Sequence, residues 1–141
     1  MYKPIGKEFV SYRKVYFGDT DAAGVVYHGR YIYWMEASRI DFLENVGLPY
    51  EDLQKERIGL IPSEINIKYM RPMKFGDKFS VKTCVSGLWG GSIEMSTVFE
   101  CSDQIICKAS VKLVCLDESK WKPRRLLPEL IDCIKKYEEK E

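Results

Sequence analysis

The chain contains a single histidine, His28, among its 141 residues. That scarcity excludes zinc signatures needing two histidines, HExxH among them, and no metal site is expected. A Ser-His-Asp triad would have to use His28, and no G-x-S-x-G segment supplies its serine. No Walker A run is present, and no GxGxxG fingerprint follows a strand. The five cysteines are odd in number and never stand in CxxC spacing. With strand-like neighbours, most read as buried thiols rather than as disulfides or metal ligands. Chemistry is thereby left to carboxylates, backbone amides and His28.

Long apolar runs are missing as well. No stretch approaches the roughly 20 residues of a membrane span, and the opening MYKPIGKEFV lacks the apolar centre of a secretory signal. Free thiols without an export signal favour the cytoplasm. Charge of one sign is not in excess either: 22 basic and 21 acidic side chains leave a net charge of +1. Nucleic-acid binding announces itself as a basic excess or stripe, so no such partner is expected. What remains is an ordinary globular composition, 45% hydrophobic, suited to one domain over 1–141 with a core of its own.

The periodicity of the apolar residues changes along the chain. The segment EFVSYRKVYF reads as a first strand, with Phe9, Tyr12 and Val15 to Phe17 as its apolar part. Tyr31, Trp34, Met35, Ser38, Phe42 and Val46 then recur at helical spacing, and Gly47 followed by Pro49 stops the helix. Ile40 falls outside that stripe, which predicts a helix covered on more than one side. From EINIKYM onward the period is two: Ile65, Ile67 and Tyr69 share a face, as do Phe79, Val81, Thr83 and Val85, then Ile93, Met95, Thr97 and Phe99. A last strand alternates Ile105, Cys107, Ala109, Val111 and Leu113 against Ile106, Lys108, Ser110 and Lys112. GLWGG and CSDQ are short enough for hairpins. The tail repeats Leu127, Leu130, Ile131 and Ile134 at helical spacing after Pro128. Strand, helix, four strands and a short helix predict an α+β domain, an antiparallel sheet wrapped around the long helix.

Between the first strand and that helix stands GDTDAAGVVYHGRY, residues 18–31. Asp19 and Asp21 precede small residues, and Gly24 lets a ligand approach the backbone. The helix starts between Tyr27 and Tyr31, where free N–H groups carry partial positive charge and can hold an anion or a developing oxyanion. A carboxylate beside them could act as general base or nucleophile on a carbonyl. The same residues also make good turn and capping chemistry, with Asp19 the structural partner of the pair and His28 a packed or capping side chain. Spacing alone leaves both readings open.

YFGDTDAAGVVYHGRYIYWMEASRIDFL closely resembles the signature of the 4-hydroxybenzoyl-CoA thioesterase-like hotdog family, nearest its YbgC-like acyl-CoA thioesterase branch. INIKYMRPMKFGDKFSV, CKASVKLVCLD and KPRRLLPEL resemble the same branch in the same order, so the likeness covers residues 10–130. It implies a hotdog fold: a five-stranded antiparallel sheet around a long central helix, here with a short C-terminal helix. It implies hydrolysis of an acyl-CoA thioester, with CoA part of the substrate and no separate cofactor. The family's catalytic aspartate falls on Asp21 and its oxyanion amide on the backbone N–H of His28, with Gly24, Tyr27 and the His28 side chain lining the pocket. It further implies a homo-oligomer, a dimer of dimers, with sites at the dimer interface.

Basic side chains should meet the CoA phosphates, with Arg71, Lys74, Lys108, Lys112, Arg124 and Arg125 as candidates. Tyr31, Trp34 and Tyr69 could shape the acyl pocket or serve as core. Two other functions are carried alongside. One is a related hotdog enzyme, acting on another acyl carrier or dehydrating through a histidine. The other is an acyl-CoA binder without turnover.

Overall fold

In the computed structural model, residues 2–140 are described. A first strand, β1 (Phe9–Lys14), leads through a single 3-10 turn at Phe17–Asp19 to the long helix α1 (Arg30–Val46). After it come α2 (Tyr50–Lys55), β2 (Ile58–Tyr69), β3 (Lys78–Leu88), β4 (Ser92–Cys101), β5 (Gln104–Asp117), β6 (Lys122–Pro123) and α3 (Pro128–Glu139). The strands form one antiparallel sheet in the order β1-β3-β4-β5-β2, and β6 pairs with β5. The expected hotdog arrangement is therefore present.

Local chemistry accounts for the boundaries. Gly47 ends α1 in the left-handed conformation (φ 101°), its N–H returning to the carbonyls of Glu44 and Leu43. Ser102 and Asp103 both take positive φ, 51° and 62°, the twist a two-residue hairpin between β4 and β5 requires. The inner face of the sheet carries Val81, Val85, Ile93, Met95, Phe99, Cys107, Val111 and Leu113, all buried against α1 through Trp34, Met35 and Phe42. Inside this apolar layer sits a chain of buried hydroxyls. Ser38 Oγ lies 2.6 Å from Thr83 Oγ1, which lies 3.3 Å from that of Thr97. Each bond is worth about 1 kcal/mol net, but an orphaned hydroxyl here would cost more, so the chain holds α1 in one register on the sheet.

Several details depart from the sequence reading. Tyr12 does not share an inner face with Phe9: β1 alternates with period two, so Tyr12 points outward and is 82% exposed. Phe17 lies in the 3-10 turn and is exposed too. The helix α2 is too short to show a period, and β2 starts at Ile58 rather than near Glu64. Ile106 is buried rather than facing water, because a register shift after Phe99 leaves it unpaired in a bulge. Its carbonyl oxygen accepts the N–H groups of both Met70 and Arg71, the residues that leave β2.

The wrap is not complete within one chain. β2 is an edge strand, and the apolar face it presents towards α1 extends past the helix: Ile65 is 40% and Tyr69 48% exposed, with Ile32 of α1 at 41%. At the other end of the chain, Glu138 of α3 is buried and accepts the N–H groups of Ile5, Gly6 and Lys7 and the hydroxyl of Tyr2. These donors satisfy the buried carboxylate and pin the segment ahead of β1.

Candidate active site

The segment from Thr20 to Val26 is a small closed loop. Thr20 and Val26 form an isolated antiparallel bridge, Asp21 N–H donates to the Val25 carbonyl at 2.9 Å, and Gly24 N–H donates back to that of Asp21 at 2.9 Å. Gly24 has φ +82° with nothing within 4 Å of where a side chain would begin. The turn needs that conformation, and the space beside it is open. Asp21 is exposed at the first position of the turn, and its Oδ1 accepts one hydrogen bond, from Ala23 N–H at 2.9 Å. Its other carboxylate oxygen makes no hydrogen bond to the described residues.

Asp19 plays the opposite part. It is 5% exposed; Oδ2 accepts Tyr16 N–H at 2.8 Å, and Oδ1 lies 2.7 Å from Arg30 Nε. That contact is an ion pair rather than an aligned hydrogen bond, since the Arg30 Nε–H points elsewhere. The Asp19 carbonyl accepts Tyr27 N–H, and Val26 N–H donates to Met73 in the crossover between β2 and β3. Asp19 thus ties the loop to the first residue of α1, while Met73 ties it to the sheet. Of the two aspartates, one is consumed by structure and one is presented.

The loop delivers the chain into the start of α1. Arg30 N–H bonds to the Tyr27 carbonyl, whereas the N–H of His28 has no acceptor among the described residues. It lies just ahead of the helix, among the orphan donors where the macrodipole adds positive potential. The exposed rings of Tyr27 and His28 pack with centroids 4.4 Å apart. Tyr27 also covers Gly29 so closely that a β-carbon there would sit 2.6 Å from its ring. Gly29 and Arg30 were not among the residues singled out from sequence; a glycine at a helix start was the available signal for the first.

Tyr69, at the end of β2, donates its hydroxyl to the His28 carbonyl at 2.8 Å. Its ring stands 5.6 Å from that of Tyr31, which is buried against Trp34 and Phe99. Tyr31 and Trp34 therefore belong to the core, and Tyr69 joins the core to the site. Burial raises the Tyr31 phenol well above its ordinary range, so it stays protonated.

The cations divide by position. Arg71 and Lys74 lie exposed on the crossover that carries Met73, beside the loop. Lys108 and Lys112 alternate with the inward residues of β5, so they stand on the outer face, away from α1; Lys112 lies 4.8 Å over the Trp89 ring. Arg124 and Arg125 sit by the turn at Gly90 and Gly91, roughly 30 Å along β3 from the site end of the sheet. Of these six cations, Arg71 and Lys74 are the two on the segment hydrogen-bonded to the site loop.

This geometry pairs a presented carboxylate with an unpartnered helix-start N–H on one short loop. The family model of the thioesterase-like superfamily matches residues 15–132. The chain is 30% identical over 114 residues to the acyl-CoA thioester hydrolase YbgC of Escherichia coli O6:H1, covering 80% of this chain and 85% of that one. It is 32% identical to the acyl-CoA thioesterase YbgC of Haemophilus influenzae, covering 78% and 82%. Among solved structures, a DHNA-CoA thioesterase from Staphylococcus aureus superposes with a TM-score of 0.87 at 25% identity, over 92% of this chain and 90% of that chain.

Proposed function

Because this chain belongs to the thioesterase-like superfamily, we propose that it hydrolyses acyl-CoA to free carboxylic acid and CoA. Asp21 acts as nucleophile or general base, and the backbone N–H of His28 holds the oxyanion. The observation that carries this reading is the division of labour in the loop. Asp19 is buried and fully engaged, whereas Asp21 keeps an oxygen free on the same connection as an N–H with no acceptor among the described residues.

The steps follow from that placement. The thioester carbonyl oxygen accepts the His28 N–H, which polarises the carbonyl carbon. In the base route, Asp21 takes a proton from water as the oxygen attacks that carbon. In the nucleophilic route, the carboxylate oxygen attacks directly and forms a mixed anhydride that water then opens. Either way the negative charge gathers on the former carbonyl oxygen before the carbon–sulfur bond breaks. CoA leaves as the thiolate and takes up a proton from solvent.

Gly24 leaves room for the thioester, and Tyr27 walls the pocket. Tyr31 supports Tyr69 from behind, and Arg71 meets the phosphates of CoA. The β2 edge is where a second copy would bind. Its unpaired backbone and the bare apolar face of Ile65 and Tyr69 would both be satisfied by a β2 strand alongside. We place the active form as a dimer of dimers in the cytoplasm.

Free thiol release from a panel of acyl-CoAs, short aliphatic to aromatic, tests the function. Steady turnover with stoichiometric free acid is the expected result. Saturable CoA binding without turnover on any member of the panel would overturn it in favour of a binder.

A further inference from the structure

The flank of α1 that faces β2 carries Ile32, Glu36, Arg39, Ile40 and Leu43, with Arg39 and Ile40 each one turn from both Glu36 and Leu43. β2 runs beside it, with Tyr69 at His28 and Pro62 next to the later helix residues. Between them opens a cavity of about 240 Å³, with Ile40, Leu43, Leu60, Ile93, Met95 and Leu113 in its walls and the exposed Glu36 and Pro62 also lining it. Such walls suit a hydrocarbon chain. Two lining residues, Glu36 and Arg39, do not. Arg39 reaches the same cavity, and its guanidinium has no carboxylate within 4.0 Å among the described residues.

Burial lowers the pKa of Arg39, while the nearby Glu36 and Tyr50 pull it back up. An arginine does not give up its proton in a protein, so the charge stays, with no carboxylate in direct contact among the described residues. Glu36 also lines the cavity, but it is exposed and does not close on the guanidinium.

We propose that this cavity receives the far end of the acyl chain, and that Arg39 selects chains ending in a carboxylate. The inference rests on the thioesterase reading above. Length agrees with it. From His28 to Arg39 the helix rises about 16 Å, and the arginine side chain leans back towards the helix start, which shortens the gap to roughly 10 Å. An extended chain advances roughly 1.2 Å per bond, so an acyl group of about eight carbons spans it. The cavity holds roughly eight water-sized groups, enough for the distal half and its carboxylate.

The test compares octanoyl-CoA with suberyl-CoA, which carries a carboxylate at the far end. Wild type, Arg39→Met and Arg39→Lys are assayed together. Wild type should favour suberyl-CoA in kcat/KM at least about tenfold. Arg39→Met should abolish that preference from both sides, lowering kcat/KM for suberyl-CoA and raising it for octanoyl-CoA, whose end then meets an apolar wall, and Arg39→Lys should restore part of it. Arg39 is half-buried with no carboxylate in contact among the described residues, so methionine in its place keeps the fold, and octanoyl-CoA turnover reports an intact site. A ratio unaltered by Arg39→Met overturns the proposal and leaves the thioesterase standing. So does a variant that dissociates the oligomer with the ratio unchanged, which would assign Arg39 to a second copy. Hydrolysis of neither substrate by folded wild type overturns both readings.

Discussion

Replacing Asp21 with asparagine should lower kcat/KM for acyl-CoA hydrolysis about a thousandfold or more and leave the denaturation midpoint unchanged. The choice of asparagine separates the two readings of this residue. As a turn former, Asp21 needs only an oxygen to accept the Ala23 N–H, and the amide oxygen of asparagine supplies one. The turn survives, so any lost activity belongs to the missing charge. Asparagine can neither take a proton from water nor form the anhydride. Activity within a few-fold of wild type would return Asp21 to the turn and send the search for the base elsewhere. A burst of free thiol before acid appears, in the wild-type enzyme, would mark the nucleophilic route.

Asp19→Ala should be the more damaging substitution for stability. It removes the acceptor of the Tyr16 N–H and the partner of Arg30, with the carboxylate 5% exposed. Breaking a buried pair costs about 3–5 kcal/mol, and the low end applies because Arg30 is partly solvated. About 3 kcal/mol is a large share of a small domain's stability and should be plain in a urea titration. Activity should fall as well, although Asp19 touches no reacting atom, because the loop that presents Asp21 is hung from it. Arg30→Ala should cost less, since the Asp19 carboxylate keeps its backbone donor. Equal stability of Asp19→Ala and wild type would mean that the loop is held by Met73 and the Thr20–Val26 bridge alone.

The two aspartates show what was legible in the sequence. The alternation of β3, β4 and β5 and the stripe from Tyr31 to Phe42 are burial patterns written in residue type, and they survive in the fold. The positions of Asp21 and His28 came from a family likeness together with the place of a helix start. What was not legible depends on contacts remote in sequence. The bulge at Ile106 is set by how β5 meets β4 and β2. Tyr12 was misplaced because Phe9 and Tyr12 fit a helical step but not a strand. The separation of Lys108 and Lys112 from the loop required knowing which face of the sheet holds α1. Arg39 stood in the sequence only as part of the family-like stretch, because the cavity beside it depends on how β2 passes α1.

The sheet also has a history in time. β3, β4 and β5 are joined by short hairpins, so their pairing closes small loops and can form early. β1 must find β3, and β2 must find β5, across much longer stretches of chain. The site loop depends on both late arrivals, through Val15 N–H on the Asp77 carbonyl and Val26 N–H on that of Met73. It is therefore finished last and opens first, so a chain can lose its chemistry while the hairpin meander stays folded. In hydrogen exchange the amides of Val15, Val26 and Tyr27 should trade their protons well before those of Met95, Val111 and Leu113. Simultaneous exchange would mean that the site and the meander open as one unit.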